Sequence, residues 1–366
     1  MKLPRIYKKS KTGAIVICDI SVDGDTITVT TGQLDGAMQH HPTICVPMNI
    51  GRSNETTAEE QAKKEAKAKH IKKIKSGYVL DPSGELTVKL PMKVKIYQDQ
   101  KPNIIFPALL SPKLNGVNGE YLINKLENSL ELFTRGGNLY PNLTHLESEI
   151  KEFMAILNES SLNGEIYKHG MHLQDITSAA KKPNQNTPDL EFHVFDTPAS
   201  KLSYDKKLDD FNSIDNSKFT YVKMIRTYEV NSHDEIEKYM QKFLVDGYEG
   251  VIIRNKKLIY EYNVRSSDIF KYKIPKDGEF KVVGWRADKK GHPVFTCKIP
   301  EVDGAHEFNV KLKGTDKERL RVAENADSWI GQWLNIEFES YSKDKKPTKP
   351  VGIGLRDCDS KGNPVI

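Results

Sequence analysis

The chain has 366 residues, 37% hydrophobic and 29% charged, a balance that suits two or three folded domains and excludes a disordered chain. No apolar run approaches the ~18 residues of a membrane span, and no apolar stretch follows the basic Met1–Ser10 segment, so neither a membrane protein nor a secreted one is expected. A net charge of +5 permits a polyanionic partner without demanding one, and Cys18, Cys45, Cys297 and Cys358 are too scattered for a zinc cluster or disulfide frame, which fits a reducing cytosol.

Residues 1–90 open with two period-two runs, Ala14–Ile20 and Thr26–Thr31, around the hairpin signal Asp23-Gly24-Asp25. A basic helix is expected from Ala58 to Ser76, with lysines at 63, 64, 67, 69, 72, 73 and 75. Thr56 or Thr57 can cap it, Glu59 and Glu60 suit its N-terminal dipole, and Gly77 can end it. Its charged side is either a solvated face over an Ala62/Ala66/Ile74 core stripe or a surface that tracks phosphates; the two are compatible. Tyr78–Tyr97, with Asp81-Pro82-Ser83-Gly84, reads as a turn and connector.

Residues 91–274 mix strands and helices. Val117–Ile123 and Ser129–Thr134 suggest an antiparallel pair around an Asn124–Asn128 turn, Leu143–Asn158 and Asp234–Leu244 have helical spacing, and Ile166, Leu190–Phe195 and Gly250–Arg254 mark further strands. The pattern predicts an α+β domain built mostly from antiparallel sheet. Residues 275–366 are strand-rich at short intervals (Glu279–Trp285, Val294–Ile299, Glu307–Leu312, Trp333–Ser340), as in a small Greek-key barrel of OB-fold type.

Six short segments carry polar side chains beside apolar runs: Lys113–Asn118, Thr134–Gly137, Asn163–Ile166, Phe192–Asp196, Glu249–Arg254 and Lys271–Lys273. Lys113, placed at a strand start beside an Asn-Gly turn, is an amine that can become a nucleophile or remain a surface lysine. Glu165 and Glu249, each next to a glycine, can hold Mg²⁺ or a ribose hydroxyl, or end a solvated strand. Phe195 is a core residue or a face for a base. Lys271 and Lys273, two apart, leave one strand face and suit a polyphosphate, while Arg135 and Arg265 can fork onto phosphates.

Taken in order, these segments resemble the covalent nucleotidyltransferases, which include ATP-dependent DNA ligases, RNA ligases and mRNA-capping enzymes. Lys113 matches the nucleophilic lysine of the family's K-x-D-G-x-R motif; Glu165, Phe195, Glu249 and the Lys271/Lys273 pair match its later motifs, and Arg135 and Arg265 its intervening arginines. The chain is most similar to small phage-type DNA ligases, and its N-terminal segment resembles a WGR module, with Thr31-Gly32-Gln33 where Trp-Gly-Arg would stand. The pattern departs at Asn115, where the family has Asp, and at Asn118, where it has the nucleotide-contacting Arg. Arg356–Lys361 only loosely matches the closing Arg-x-Asp-Lys motif.

The resemblance implies a WGR-like DNA-contacting module (1–90), a nucleotidyltransferase domain (91–274) and an OB-fold barrel (275–366). It implies a monomer that uses ATP and Mg²⁺ to seal nicked duplex DNA in a bacterial or phage-infected cytosol. Lys113 would carry AMP, aided by Lys271 and Lys273. Asn118, Arg135, Glu165, Phe195 and Arg265 would bind the nucleotide, with Glu249 and Glu165 on the metal. An RNA ligase, a capping enzyme and a non-catalytic nick-binding protein remain alternatives; NAD⁺ is disfavoured as adenylyl donor.

Overall fold

The computed structural model describes residues 1–10, 12–83, 88–124, 129–140, 143–299 and 306–365. The N-terminal segment forms an antiparallel sheet of β1 (Ile6–Lys9), β2 (Ile15–Asp23), β3 (Thr26–Gln33) and β4 (Met38–Ile44), in that spatial order. Asp23 pairs with Thr26, so Gly24-Asp25 is the two-residue loop the sequence signals. Helix α1 (Ala58–Ile74) packs on β2 and β3; Thr57 caps it with a reciprocal capping box to Glu60. It buries Ala62, Ala66 and His70, with Ile74 packed against the same cluster, and leaves Lys63, Lys64, Lys67 and Lys72 exposed.

In the central segment come β5 (Lys93–Ile96), β6 (Ala108–Lys113), β7 (Val117–Asn124), β8 (Ser129–Thr134), α2 (Glu147–Leu157), β9 (Ser161–Tyr167), α3 (Leu173–Lys181), β10 (Glu191–Asp196), α4 (Tyr204–Ser213), β11 (Val222–Met224), β12 (Tyr228–Val230), α5 (His233–Val245), β13 (Gly250–Asn255) and β14 (Arg265–Tyr272). They build two sheets, β11-β10-β9-β7-β8 and β12-β6-β13-β14-β5. One core, around Phe153, Phe192, Leu109 and Ile269, joins the first sheet to the inner face of the second. On the second sheet's other face, Leu110, Val251, Ile253 and Phe270 pack against Ile236, Met240 and Phe243 of α5.

Two expectations are corrected. Lys113 ends a strand rather than starting one, because the run Ala108–Ser111 before it is buried and paired with β13. Pro112 obscures that strand in the sequence, yet β12 covers only Ala108–Leu110, so beyond it β6 is an edge on that side and proline is tolerated. The connector Tyr78–Tyr97 contains β5, which pairs in parallel with β14. Strands β7 and β8 pair as expected, with Asn124 opposite Ser129; their turn, 125–128, lies outside the described residues.

The C-terminal segment comprises β15 (Lys276–Ala287), β16 (Pro293–Lys298), β17 (Glu307–Leu312), α6 (Asp316–Ala323), β18 (Trp333–Phe338) and β19 (Val351–Arg356). The five strands close into a barrel in the order β15-β16-β17-β19-β18 around Phe280, Phe295, Val310 and Leu334.

Candidate active site

A cleft of about 900 Å³ lies between the two central sheets. Lys113, Asn118, Arg135, Glu165, Phe195, Glu249, Arg265, Lys271 and Lys273, scattered over the central segment in sequence, all line it. Its floor comes from β6, β13 and β14: Gly250 faces Lys113, and Ile252 lies between Ser111 and Lys271. The opposite wall comes from β7, β9 and β10, with Asn118 paired beside Glu165.

Two glycines permit this approach. A Cβ at Gly250 would stand 2.2 Å from the Tyr272 carbonyl oxygen, and one at Gly116 would stand 2.3 Å from the Ile166 oxygen and 2.8 Å from Glu165 Cγ. The backbone at both positions, the start of β13 and the bend before β7, can therefore pack this closely only with glycine there.

The Lys113 ammonium donates to the Glu249 carboxylate, whose other oxygen lies 3.3 Å from Lys273 Nζ. Lys273 also pairs with Glu339, and Lys349 Nζ reaches the second Glu339 oxygen at 2.7 Å, so the barrel contributes to the cleft rim. Lys271 is held below the usual lysine range by burial and by the nearby charges of Lys273 and Lys113. Glu165 is pushed up to about 7 by burial, with Glu249 adding to the rise and Lys113, Arg135 and the Gly116 amide opposing it.

Asn118 Nδ2 donates to the Gly164 carbonyl at 3.2 Å, which holds its side chain against β9. Phe195 is half-buried and faces the cleft, while its neighbours Phe192 and Val194 fill the core. Arg135 is exposed in the turn after β8; Arg265 begins β14 and donates to the Val94 carbonyl at 2.6 Å.

Sequence reasoning left out other cleft residues, among them Ser111, Arg254, Glu339 and Lys349. Ser111 and Arg254 are buried on the floor, joined at 2.8 Å, and nothing in their immediate sequence marks them beyond adjacency to a motif. Glu339 and Lys349 arrive from the barrel, a long-range approach with no local signal.

A family model described as the ATP dependent DNA ligase domain matches residues 91–273, half of the chain and the whole of the cleft's two sheets. The chain belongs to that family. The DNA ligase of African swine fever virus (isolate Warthog/Namibia/Wart80/1980) is 27% identical over 331 residues, covering 84% of this chain and 78% of the viral protein. The DNA ligase of Enterobacteria phage T4 is 28% identical over 185 residues, 46% of this chain and 38% of the phage protein. A solved chain from a study of Lig E DNA ligases with a minimal scaffold superposes with a TM-score of 0.59 at 22% identity, over 74% of this chain and all of that one, and bears on the fold alone. This ligase is an ATP-dependent enzyme of the small phage and viral type that joins nicked DNA. Among the described residues, no helix is long and apolar enough to cross a membrane.

Proposed function

We propose that the ligase seals nicks through an AMP adduct on Lys113. The observation that carries this is the placement of Lys113 at the floor of the cleft, its ammonium on Glu249 and flanked by Lys273. The Lys113 amine, once deprotonated, attacks the ATP α-phosphorus; a P–N bond forms, the bond to the β-phosphate oxygen breaks, and pyrophosphate leaves. Lys271 and Lys273 neutralise charge on the leaving polyphosphate. A 5′-phosphate oxygen of the nick then takes the adenylyl group, breaking the P–N bond and returning the amine. Finally the 3′-hydroxyl attacks that 5′-phosphate and expels AMP. Glu165 holds the ribose, Phe195 stacks on adenine, and Asn118, Arg135 and Arg265 complete the nucleotide site, the arginines supplying the cations that Asn118 does not.

Glu165 and Glu249 suit Mg²⁺. Burial raises Glu165 and the Glu249 charge adds to that rise, and a hard cation takes one or two carboxylates together with substrate phosphates. Bound there, the ion would neutralise charge developing on the phosphates. Among the described residues no three acidic, histidine or cysteine side chains cluster as an all-protein cage, which also fits a cation completed by substrate.

Around this centre, residues 1–90 act as a WGR-like DNA-contacting module, 91–274 as the nucleotidyltransferase domain, and 275–366 as an OB-fold whose barrel wraps the duplex. The enzyme works as a monomer in a bacterial or phage-infected cytosol. Lys113→Ala tests the adduct: it should fail to seal a DNA nick with ATP, yet still seal a nick already carrying 5′-linked AMP. Full ATP-driven sealing by that variant contradicts the assignment. Matched nicked RNA duplexes and GTP, supplied to the wild type, separate this reading from an RNA ligase or capping enzyme.

A further inference from the structure

A cluster of cations fills the junction between the N-terminal segment and one end of the cleft. Lys8 of β1, with Lys73 and Lys75 at the end of α1, stands on the N-terminal side. Lys93 of β5, Arg135 and Arg265 stand on the other side and line the cleft. Direct contacts draw the two groups together. Lys75 Nζ donates to the Gly136 carbonyl at 2.7 Å, next to Arg135. Gly77, at φ +93°, turns the chain so close to Asn263 that a Cβ there would lie 3.6 Å from both Asn263 Cβ and Lys8 Nζ, just before Arg265. Lys93 and Arg265 are register partners on β5 and β14.

Among the described residues, none of these cations forms an ion pair. Their contacts are the Ser76, Gly136 and Val94 carbonyls, and the Tyr78 ring, whose centre lies 5.8 Å from Lys8 Nζ and 5.1 Å from Lys73 Nζ. The four lysines are half-buried, and burial together with the charges of Lys73 and Lys93 holds Lys8 below the usual lysine range. The negative end of α1 offsets part of the repulsion at Lys73 and Lys75, but Lys93, Arg135 and Arg265 stand on other elements. Like charges drawn partly out of water without counter-ions are costly, and an anion shared among them removes that cost.

We propose that this junction is a track for consecutive backbone phosphates of the nicked duplex, shared between the N-terminal segment and the cleft. The cations do not converge on one point. They run from Lys73 past Tyr78 and Lys8 to Lys75 and Arg135, and across to Lys93 and Arg265, which suits a row of phosphates better than one small anion. The track is distinct from the exposed Lys63, Lys64 and Lys67 of α1. It rests on the reading of residues 1–90 as a DNA-contacting module and assigns that module a part in leading the backbone to the site of chemistry.

The test uses the full chain and a nicked duplex whose 3′ end at the nick lacks the hydroxyl, so that it binds without being joined. Lys8→Gln/Lys73→Gln/Lys75→Gln should raise Kd about tenfold or more at low salt. The log–log salt slope should flatten by roughly 0.9 for each phosphate no longer neutralised. Adduct formation with ATP in the absence of DNA should keep the wild-type KM. Lys73→Arg/Lys75→Arg, which keeps the charges, should retain the wild-type slope. Neutral methylphosphonate linkages, moved one step at a time along each strand, should flatten the wild-type slope over a short run beside the nick and bring no further loss there in the triple variant. An unaltered slope in the triple variant overturns the proposal. So does a raised KM for ATP, which would make the anion the nucleotide's polyphosphate, and so do methylphosphonate effects that are the same in variant and wild type at every position. Should the triple variant fail to fold, as read by thermal melting, Lys73→Gln alone decides through a slope change of roughly 0.9. If the junction variants leave the slope unaltered while alanine at Lys63, Lys64 and Lys67 changes it, the junction alone falls; if neither set changes it, the DNA-contacting module falls as well.

Discussion

At the scale of single residues, the cleft stores electrostatic cost behind the reacting groups as well as beside them. Glu120 on β7 is 1% exposed and hydrogen-bonded by the Tyr262 hydroxyl; burial pushes its carboxyl up to about 7, with Asp196 adding to the rise and Tyr262 and Lys89 opposing it. A carboxyl raised above its unfolded value binds more protons in the native state, so stability falls as pH climbs from about 4.5 to about 7 and stays reduced above that. Glu120→Gln keeps the shape without the charge. Its stability relative to wild type should therefore rise between about pH 5 and about pH 8, by on the order of 2–3 kcal/mol. Denaturant unfolding at the two pH values checks this; a difference that does not change with pH would show that Glu120 does not titrate in that window.

At the scale of elements, α1 carries a basic face apart from the cleft. Its exposed Lys63, Lys64, Lys67 and Lys72 stand on a helix well clear of the cleft lining. Changing these four to alanine should weaken binding to a nicked duplex and flatten its salt dependence, by roughly 0.9 in log–log slope for each phosphate no longer neutralised, while adduct formation with ATP is kept. A binding isotherm series in salt decides, and an unaltered slope would leave the helix as a solvated face. Elements with strong local codes were legible in the sequence: the Asp23–Asp25 hairpin, the capped basic helix, helices α2 and α5 of the central segment, and the barrel strands β15 to β18. Those that depend on distant partners were not. Helix α4 buries Tyr204, Lys207 and Phe211, with Leu208 packed partly buried beside them, and Lys207 reads as a surface lysine until its buried pair with Asp196 is seen. Strands β11 and β12 have three residues each, too few for a period, and β19 is broken by Gly352 and Gly354. The nine side chains chosen for the site meet in one cleft because their order follows the family's motifs, whereas Ser111, Arg254, Glu339 and Lys349 needed the register and the barrel to reveal them.

At the scale of the whole molecule, two central cores support one site between two sheets, and the barrel reaches it. Glu339 and Lys349 stand at the cleft rim, and Lys343 adds an ion pair at 2.7 Å to Asp175 of α3, so the barrel rests on the segment that holds Lys113. The N-terminal segment also touches its neighbour, through Lys75 Nζ donating to the Gly136 carbonyl at 2.7 Å beside Arg135. All three segments thus reach the lining or the rim of that cleft, where the covalent step at Lys113 is proposed. The most direct measurement is mass mapping of the chain after incubation with ATP and Mg²⁺ and no DNA. The expected result is one AMP per chain, released by pyrophosphate and located on the peptide that carries Lys113. An adduct on another lysine, or efficient nick sealing with no adduct at all, would contradict the covalent role of Lys113.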